Sequence, residues 1–244
     1  MINTQNIVTR DQWIEQRFEL LKKEKEFTRL RDELSSQIRS LPWERVEKPY
    51  TFQGADGQVH LSDLFGSKSQ LIIYHFMFDK DWEQGCQTCS LLTDSLNPCA
   101  VHLAARDVAL ALVSRAPIEK LLAFKKRMGW ELNWVSSLGS DFNPDFQACT
   151  DEVDENGDYY YNYTMMSRYP KGEQPGLSVF SKDESGNVYH TYSTYARGLE
   201  NFLGTYGLLD VVPKGRDEDE LPWPMSWIRH RDKYEKENGQ CCDR

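Results

Sequence analysis

The chain has 244 residues, 39% of them hydrophobic and 27% charged, with a net charge of −9 and an isoelectric point of about 5.1. This is ample for one large domain with extensions, and the acidic balance, with no concentrated basic patch, argues against a nucleic-acid partner. The longest apolar run, Leu71 to Phe78, is too short to span a bilayer.

At the N-terminus nothing resembles a secretory leader. Thr9-Arg10-Asp11-Gln12 has the form of a capping box. Behind it Trp13, Leu20, Phe27, Leu34 and Leu41 recur every seven residues, which predicts an amphipathic helix ending before Pro42. Unbroken, it extends roughly 45 Å at 1.5 Å per residue. Docking on the chain's own body is the expectation, with an arm that clasps a second copy into a homodimer as the alternative.

From Tyr50 the period changes. Tyr50-Thr51-Phe52 and Val59-His60-Leu61 flank Gly54-Ala55-Asp56-Gly57 and read as a hairpin. Leu71–Phe78 suits a central strand covered on both faces. After a polar loop, Asp79 to Gly85, the residues Cys89, Leu92, Leu96, Cys99 and Leu103 follow at steps of three and four, predicting one helix kinked at Pro98. Val108–Val113 is a strand, Pro117–Met128 a helix with Gly129 as its stop, and Asn133–Ser137 a third strand. This β-α-β-α-β run calls for three neighbouring parallel strands. A Tyr-rich, acidic loop runs from Asp141 to Gln174. Gly176–Phe180 and Val188–Tyr192 then form a hairpin, a helix spans Arg197–Tyr206, and a charged tail with Trp223 and Trp227 follows. The predicted organisation is an N-terminal helical arm over 1–48, an α/β domain over 49–212 and a tail over 213–244.

Cys86 and Cys89 stand where a buried strand has ended and a helix begins. Orphan N–H groups and the positive end of the helix dipole favour a thiolate there. Residues i and i+3 on a first turn also fall within disulfide reach. Cys89 shares a face with Leu92, Leu96 and Leu103 and points inward, leaving Cys86 as the accessible nucleophile and Cys89 as the resolving thiol. Two incidental cysteines are the competing reading. Zinc held by Cys86, Cys89, Cys99 and His102 is opposed by the helix, which sets Cys89 and Cys99 about 15 Å apart, so no metal and no cofactor are expected.

Pro175 directly precedes the strand at Gly176 and can be cis, presenting the backbone of Gln174 to a substrate. Arg115 ends a parallel strand, where ligand sites of open α/β sheets gather. Arg115 and Trp82 are therefore candidates for the mouth of the site. Asp79, Asp81 and Glu83 are expected to oppose thiolate formation at Cys86. Cys99 fits the apolar helix face, Cys149 has no visible partner, and Cys241 and Cys242 lie in the tail as unstructured thiols. Asp154-Glu155-Asn156-Gly157-Asp158 lacks the closing Glu of a calcium loop and reads as a turn. Six cysteines, two pairs of them adjacent or nearly so, point to a reducing compartment, taken as the cytoplasm.

The stretches Leu41-Pro42-Trp43-Glu44-Arg45-Val46-Glu47-Lys48, Tyr74-His75-Phe76-Met77-Phe78 and Asp81-Trp82-Glu83-Gln84-Gly85-Cys86 resemble the DUF899 family of predicted thioredoxin-like dithiol–disulfide oxidoreductases. Val113-Ser114-Arg115-Ala116-Pro117, Trp134-Val135-Ser136-Ser137 and His190 through Gly198 extend the resemblance over roughly Thr9 to Lys233. It implies a thioredoxin fold with a peroxiredoxin-like N-terminal hairpin, and Cys86 and Cys89 as a redox pair. The implied partners are a disulfide or dithiol substrate and a recycling reductant. The family commonly has Pro-Ser between the cysteines, where this chain has Gln87 and Thr88. A thiol peroxidase is the alternative activity, weakened because Asp79 and Glu83 occupy the Pro and Thr places of a Pro-x-x-x-Thr-x-x-Cys motif. A non-enzymatic interaction module is the third reading.

Overall fold

A computed structural model describes residues 7–151, 153–167 and 171–234. It divides between Trp43 and Glu44 into two units.

The first unit is built on α1, Arg10–Arg39. The capping box is present: Gln12 N–H donates to Thr9 Oγ1 at 3.4 Å, and Thr9 N–H donates to Gln12 Oε1 at 3.1 Å. Arg39 in the last turn suits the negative end of the dipole. The side chains of Trp13, Phe18, Leu20, Phe27, Leu30 and Leu34 are exposed.

The second unit begins at Glu44 rather than at residue 49, because Glu44–Arg45 (β1) pairs antiparallel with His190 and Tyr189. Strands β2 (Thr51–Gly54) and β3 (Gly57–His60) form the expected hairpin. Strand β4 (Gln70–His75) leads to α2 (Gln87–Leu96), and a 3₁₀ turn at Asn97–Cys99 connects it to α3 (Ala100–Ala104). Pro98 has no N–H to give an α-helical ladder, so the expected single kinked helix is split into two by that tighter turn. Then come β5 (Val108–Ser114), α4 (Ile118–Met128) and β6 (Asn133–Ser136). Gly129 caps α4 in the left-handed region at φ 62°, which costs a residue without Cβ little. The acidic loop holds α5 (Phe142–Asp145) and a small separate hairpin, β7 (Tyr159–Tyr161) with β8 (Thr164–Met166). Strands β9 (Gly176–Lys182) and β10 (Val188–Tyr195) follow. The helix expected at Arg197–Tyr206 is a 3₁₀ segment, Ala196–Phe202, then α6 (Gly204–Leu209).

The eight-stranded sheet has the order β1-β10-β9-β4-β5-β6-β2-β3. The three strands β4, β5 and β6 are parallel, β9 runs antiparallel to β4, and the β2–β3 hairpin joins at Gln53 opposite Ser136. A central strand that feeds a cysteine helix, with a parallel strand on one side and an antiparallel strand on the other, is the thioredoxin fold. Its β4 is covered on both faces: Leu71 and Ile73 pack with Phe52, Phe65 and Phe180, while Tyr74 and the following Phe76 pack with Leu92, Phe124 and Trp134.

His75, at the end of β4, turns to the Leu71 face and is fully buried. Burial takes its imidazole down to about 3, so it is neutral at physiological pH. Its Nε2 lies 2.8 Å from Ser178 Oγ, Ser193 Oγ lies 2.8 Å from Ser178 Oγ, and His190 Nε2 lies 2.7 Å from Ser193 Oγ. The two histidines of the family-like stretches thus tie β4, β9 and β10 together with buried and part-buried hydrogen bonds.

The tail does not stand apart at residue 213. Its described part, 213–234, belongs to the second unit. Ile228 and His230 are buried, and Asp232 pairs with Arg127 at 2.8 and 2.9 Å.

Candidate active site at the start of α2

Beyond His75 the chain leaves the sheet but stays buried through Phe76 and Phe78. Phe76 N–H donates to Val113 O at 2.9 Å. The polar loop then returns so closely that a Cβ on Gly85 would stand 2.5 Å from Phe76 Cε1, and only glycine fits. Two contacts fix the return: Cys86 N–H donates to Met77 O at 3.0 Å, and the Gly85 carbonyl accepts from His230 Nε2 at 2.9 Å.

These restraints deliver Cys86 to the N-cap of α2, with extended backbone at φ −57° and ψ 134°. Its Sγ accepts the Cys89 backbone N–H at 3.5 Å, the role a Ser or Asp oxygen fills in an ordinary cap. A sulfur that accepts orphan N–H groups at the positive end of a helix is stabilised as thiolate. The Cys86 thiol is accordingly lowered to about 7, through the hydrogen bond from the Cys89 thiol first and against the opposing effect of burial. The N–H groups of Cys89 and Thr88 and the Thr88 hydroxyl add to it. Cys89 is 1% exposed, and burial first, then Cys86, push its thiol well up. The two sulfurs therefore differ in acidity, Cys86 being the readier to ionise. Tyr74, buried beneath them on β4, hydrogen-bonds the Cys89 thiol.

The sulfurs open on a cleft of about 490 Å³. Tyr74, Met77, Leu92, Leu199, Leu203 and Met225 give it a largely apolar wall, and Thr88, Glu173, Gln174, Pro175, Arg197 and Glu200 complete it. Of the residues expected from sequence, the structure brings Cys86, Cys89, Gln174 and Pro175 to this cleft. The peptide preceding Pro175 is trans, since no cis bond occurs among the described residues. The backbone N–H of Gln174 is committed to Ala148 O at 2.9 Å and is not offered to a substrate.

Two expected mouth residues fall elsewhere. Trp82 lies on the exposed loop and does not line the cleft, its carbonyl accepting from Lys120 Nζ at 3.1 Å. Arg115 is also outside the lining, held by Glu173, by Asp151 and, at 3.7 Å, by Asp79. It reaches the cleft only through Glu173, whose buried carboxyl lines the wall. Of the carboxylates expected to oppose the Cys86 thiolate, Asp79 faces Arg115 and Asp81 pairs with Lys80, so the charge of these two is compensated.

Tyr74, Glu173 and Met225 are cleft residues that sequence reasoning missed. A tyrosine inside the apolar run of β4 was the available signal for the first. Glu173 stands next to Gln174 and Pro175 in the sequence, but nothing there announces its burial.

Cys99 is exposed rather than on the apolar face, its thiol donating to Ser95 O at 3.3 Å. The 3₁₀ turn advances about 120° per residue, not 100°, and so rotates Cys99 outward. Cys149 is buried in a main-chain bridge with Glu173 and does not reach the cleft. Burial raises its thiol to about 11, with Arg115 acting against it. Cys241 and Cys242 lie outside the described residues. In the Asp154–Asp158 segment the Asp154 carboxylate accepts the Asn156 and Asp158 N–H groups at 2.9 and 2.8 Å, forming the expected turn. Among the described residues, no group of three or more His, Cys, Asp and Glu is placed to hold a metal ion. No described helix is long and apolar enough to cross a membrane.

A family profile described as "Bacterial protein of unknown function (DUF899)" matches residues 2–234. No curated protein matches the chain. Among solved structures the chain is similar to peroxiredoxin Q of Xanthomonas campestris, at 14% identity over 68% of this chain and 95% of that one, with a TM-score of 0.45. It is also similar to peroxidoxin BcpB of Mycobacterium tuberculosis, at 12% identity over 68% and 95%, with a TM-score of 0.44. The mitochondrial 2-cys peroxiredoxin of Plasmodium falciparum matches at 17% identity over 65% and 90%, with a TM-score of 0.41.

Proposed function

This chain belongs to the DUF899 family, and we propose that it acts by thiol–disulfide exchange, using Cys86 as nucleophile and Cys89 as resolving thiol on a disulfide or dithiol substrate. The observation that carries the reading is the contact in which Cys89 N–H donates to Cys86 Sγ at the opening of the cleft, while the Cys89 thiol lies buried behind it.

In the forward sense the Cys86 thiolate attacks one sulfur of a substrate disulfide. A Cys86–substrate disulfide forms, and the departing substrate thiolate takes up a proton. Cys89 then loses its proton and attacks Cys86 Sγ. The second substrate sulfur leaves as thiol, and Cys86 and Cys89 end as a disulfide. The substrate has gained two electrons and two protons, and a recycling reductant returns the pair to the dithiol. The apolar wall favours a substrate that buries apolar surface beside its sulfur.

A redox titration tests this. The purified protein is equilibrated in thiol/disulfide buffers, free thiols are trapped by alkylation, and Cys86 and Cys89 are mapped by mass spectrometry. The expected result is a reversible two-electron transition of the pair with a midpoint between about −120 and −270 mV. Cysteines that stay reduced throughout, or never pair with each other, sink the proposal. Rapid catalytic consumption of hydrogen peroxide without Cys86–Cys89 pairing would instead favour a thiol peroxidase.

A further inference from the structure

The described part of the tail supplies Met225 to the cleft wall and is pinned on both sides of it. Downstream, His230 meets the carbonyl of Gly85 through Nε2 at 2.9 Å. Upstream, the Glu218 carboxylate gathers three donors at one oxygen: Tyr206 Oη of α6 at 2.7 Å, Trp227 Nε1 at 2.6 Å and the backbone N–H of Met225 at 3.0 Å. Between these pins Met225 stands in the left-handed region, at φ 70°, which residues with a Cβ adopt rarely and at a cost. Ala196 lines the same cleft with φ 48°. Its N–H donates to Tyr161 Oη at 3.1 Å, and that hydroxyl donates to Pro175 O at 2.8 Å. Such strain persists only where the surroundings over-determine it, so the wall has a fixed shape.

The chemistry of that wall is selective. Glu173 is paired with Arg115, and Glu200 with Arg197 and Arg216, both at 3.0 Å, so each charged side chain of the lining already has a partner. An ionised substrate loses hydration on entry and meets no free counter-charge in return. Met77 and Met225 offer soft, adaptable apolar contacts. The volume of about 490 Å³ falls among small-molecule sites, which span about 300–1,000 Å³. Cys89 is buried and Cys86 half-buried, so a disulfide must enter the cleft to be attacked. A disulfide flanked by the backbone of a folded protein does not enter it.

We infer that the substrates of this site are uncharged, low-molecular-weight disulfides with apolar substituents, and that Met225 selects them. The inference rests on the exchange activity proposed above and deepens it. In the first step the Cys86 thiolate attacks one sulfur of such a disulfide. The bond between the substrate sulfurs breaks, a Cys86–substrate disulfide forms, and the departing thiolate keeps the electron pair and takes up a proton. Met225 acts before that step, by covering the apolar substituent as the sulfur reaches Cys86. Its left-handed backbone, held by Glu218, is the means by which the tail places that side chain.

The test compares uncharged dipyridyl disulfide with dianionic dithiobis(nitrobenzoate) on the full-length protein. Salt at about 0.5 M screens the net charge of −9. Reaction at Cys86 and at exposed Cys99 is followed together by mass spectrometry, and their ratio removes the intrinsic reactivity of each reagent. The ratio should favour the uncharged reagent by about tenfold, the scale of discrimination by an apolar pocket. Met225→Asn tolerates the left-handed backbone but ends the apolar wall, and should bring the preference close to parity, whereas Met225→Leu should keep it. Iodoacetamide, small and uncharged, should alkylate Cys86 equally fast in the wild type and both variants. No preference in the wild type, or one that survives Met225→Asn, overturns the inference and leaves the exchange activity standing. Slowed iodoacetamide alkylation in Met225→Asn also overturns it, by assigning Met225 to the support of the nucleophile. So does faster reduction of insulin by dithiothreitol in the presence of the protein, which would make the substrate a macromolecule. Cys86 that reacts with neither disulfide removes both readings.

Discussion

His230 Nε2 stands 2.9 Å from the carbonyl oxygen of Gly85, 145 residues earlier in the chain. A carbonyl only accepts, so His230 carries its proton on Nε2, and its Nδ1 is free to accept from Arg127 Nη2 at 3.5 Å. The contact closes the loop that aims Cys86. His230→Ala leaves the Gly85 carbonyl unsatisfied in a buried setting, at a cost of about 1–3 kcal/mol. Denaturant unfolding measures that loss. The alkylation rate of Cys86 at pH 7 should fall with it, because the thiolate depends on the cap geometry. A variant with lowered stability and an unchanged alkylation rate would separate the tail from the site.

Cys86 should titrate near neutrality. Its thiol is lowered to about 7 by hydrogen bonds from Cys89 and Thr88. The alkylation rate of Cys86 should therefore rise through a midpoint near 7, while exposed Cys99 serves as the internal comparison. The sign for stability follows: a depressed group stabilises the reduced fold above its unfolded value, and that contribution is lost as pH falls from about 9 through about 7. Thr88→Val removes one donor and should move the midpoint upward. A midpoint that stays in place would mean that the hydroxyl plays no part.

Much of this arrangement was legible in local patterns. The capping box at Thr9, the stop at Gly129, the doubly buried run of β4 and the three parallel strands each follow from a few neighbouring residues, and local spacing is what sequence reading resolves. The Cys86–Cys89 pair was legible because strand, loop and helix adjoin in the chain. The rest depends on contacts between distant segments. Trp82 and Arg115 are close to the cysteines in sequence or at a strand end, yet Arg115 is drawn off by Asp79, Asp151 and Glu173, the last 58 residues away. The tail looked detached because its charge and prolines conceal the buried Ile228 and His230. The outward turn of Cys99 depended on a local change of helix pitch at Pro98 that periodicity alone does not reveal.

Glu173 gives the cleft a pH response of its own. Its carboxyl is raised to about 7 chiefly by burial, with the Arg115 guanidinium acting in the opposite direction. A raised carboxyl contributes stability that is complete below its unfolded value and is lost as pH rises through about 7. Glu173→Gln keeps the shape, removes the titration and leaves Arg115 to Asp79 and Asp151. The stability of the variant should be flatter between pH 4.5 and 7 than that of the wild type, as read from unfolding midpoints at several pH values. Equal slopes would assign the pH response to another group.

Tyr74 distinguishes attack from resolution. Its hydroxyl hydrogen-bonds the Cys89 thiol and lowers it, against the larger upward effect of burial. Cys86 gains its thiolate mainly from Cys89 and Thr88, so Tyr74→Phe should leave the first step almost untouched. Resolution requires Cys89 to lose its proton, and without the hydroxyl that proton is harder to remove. Mixed disulfides of Cys86 with a small aromatic disulfide should therefore persist longer in the variant, by roughly the tenfold that about 1.4 kcal/mol of lost hydrogen bonding represents. Stopped-flow release of the chromophoric thiol reports both phases. The first should match the wild type and the second should slow. A variant in which both phases slow equally would place Tyr74 in support of the whole loop, and one in which neither slows would mean that Cys89 loses its proton by a route that does not involve Tyr74.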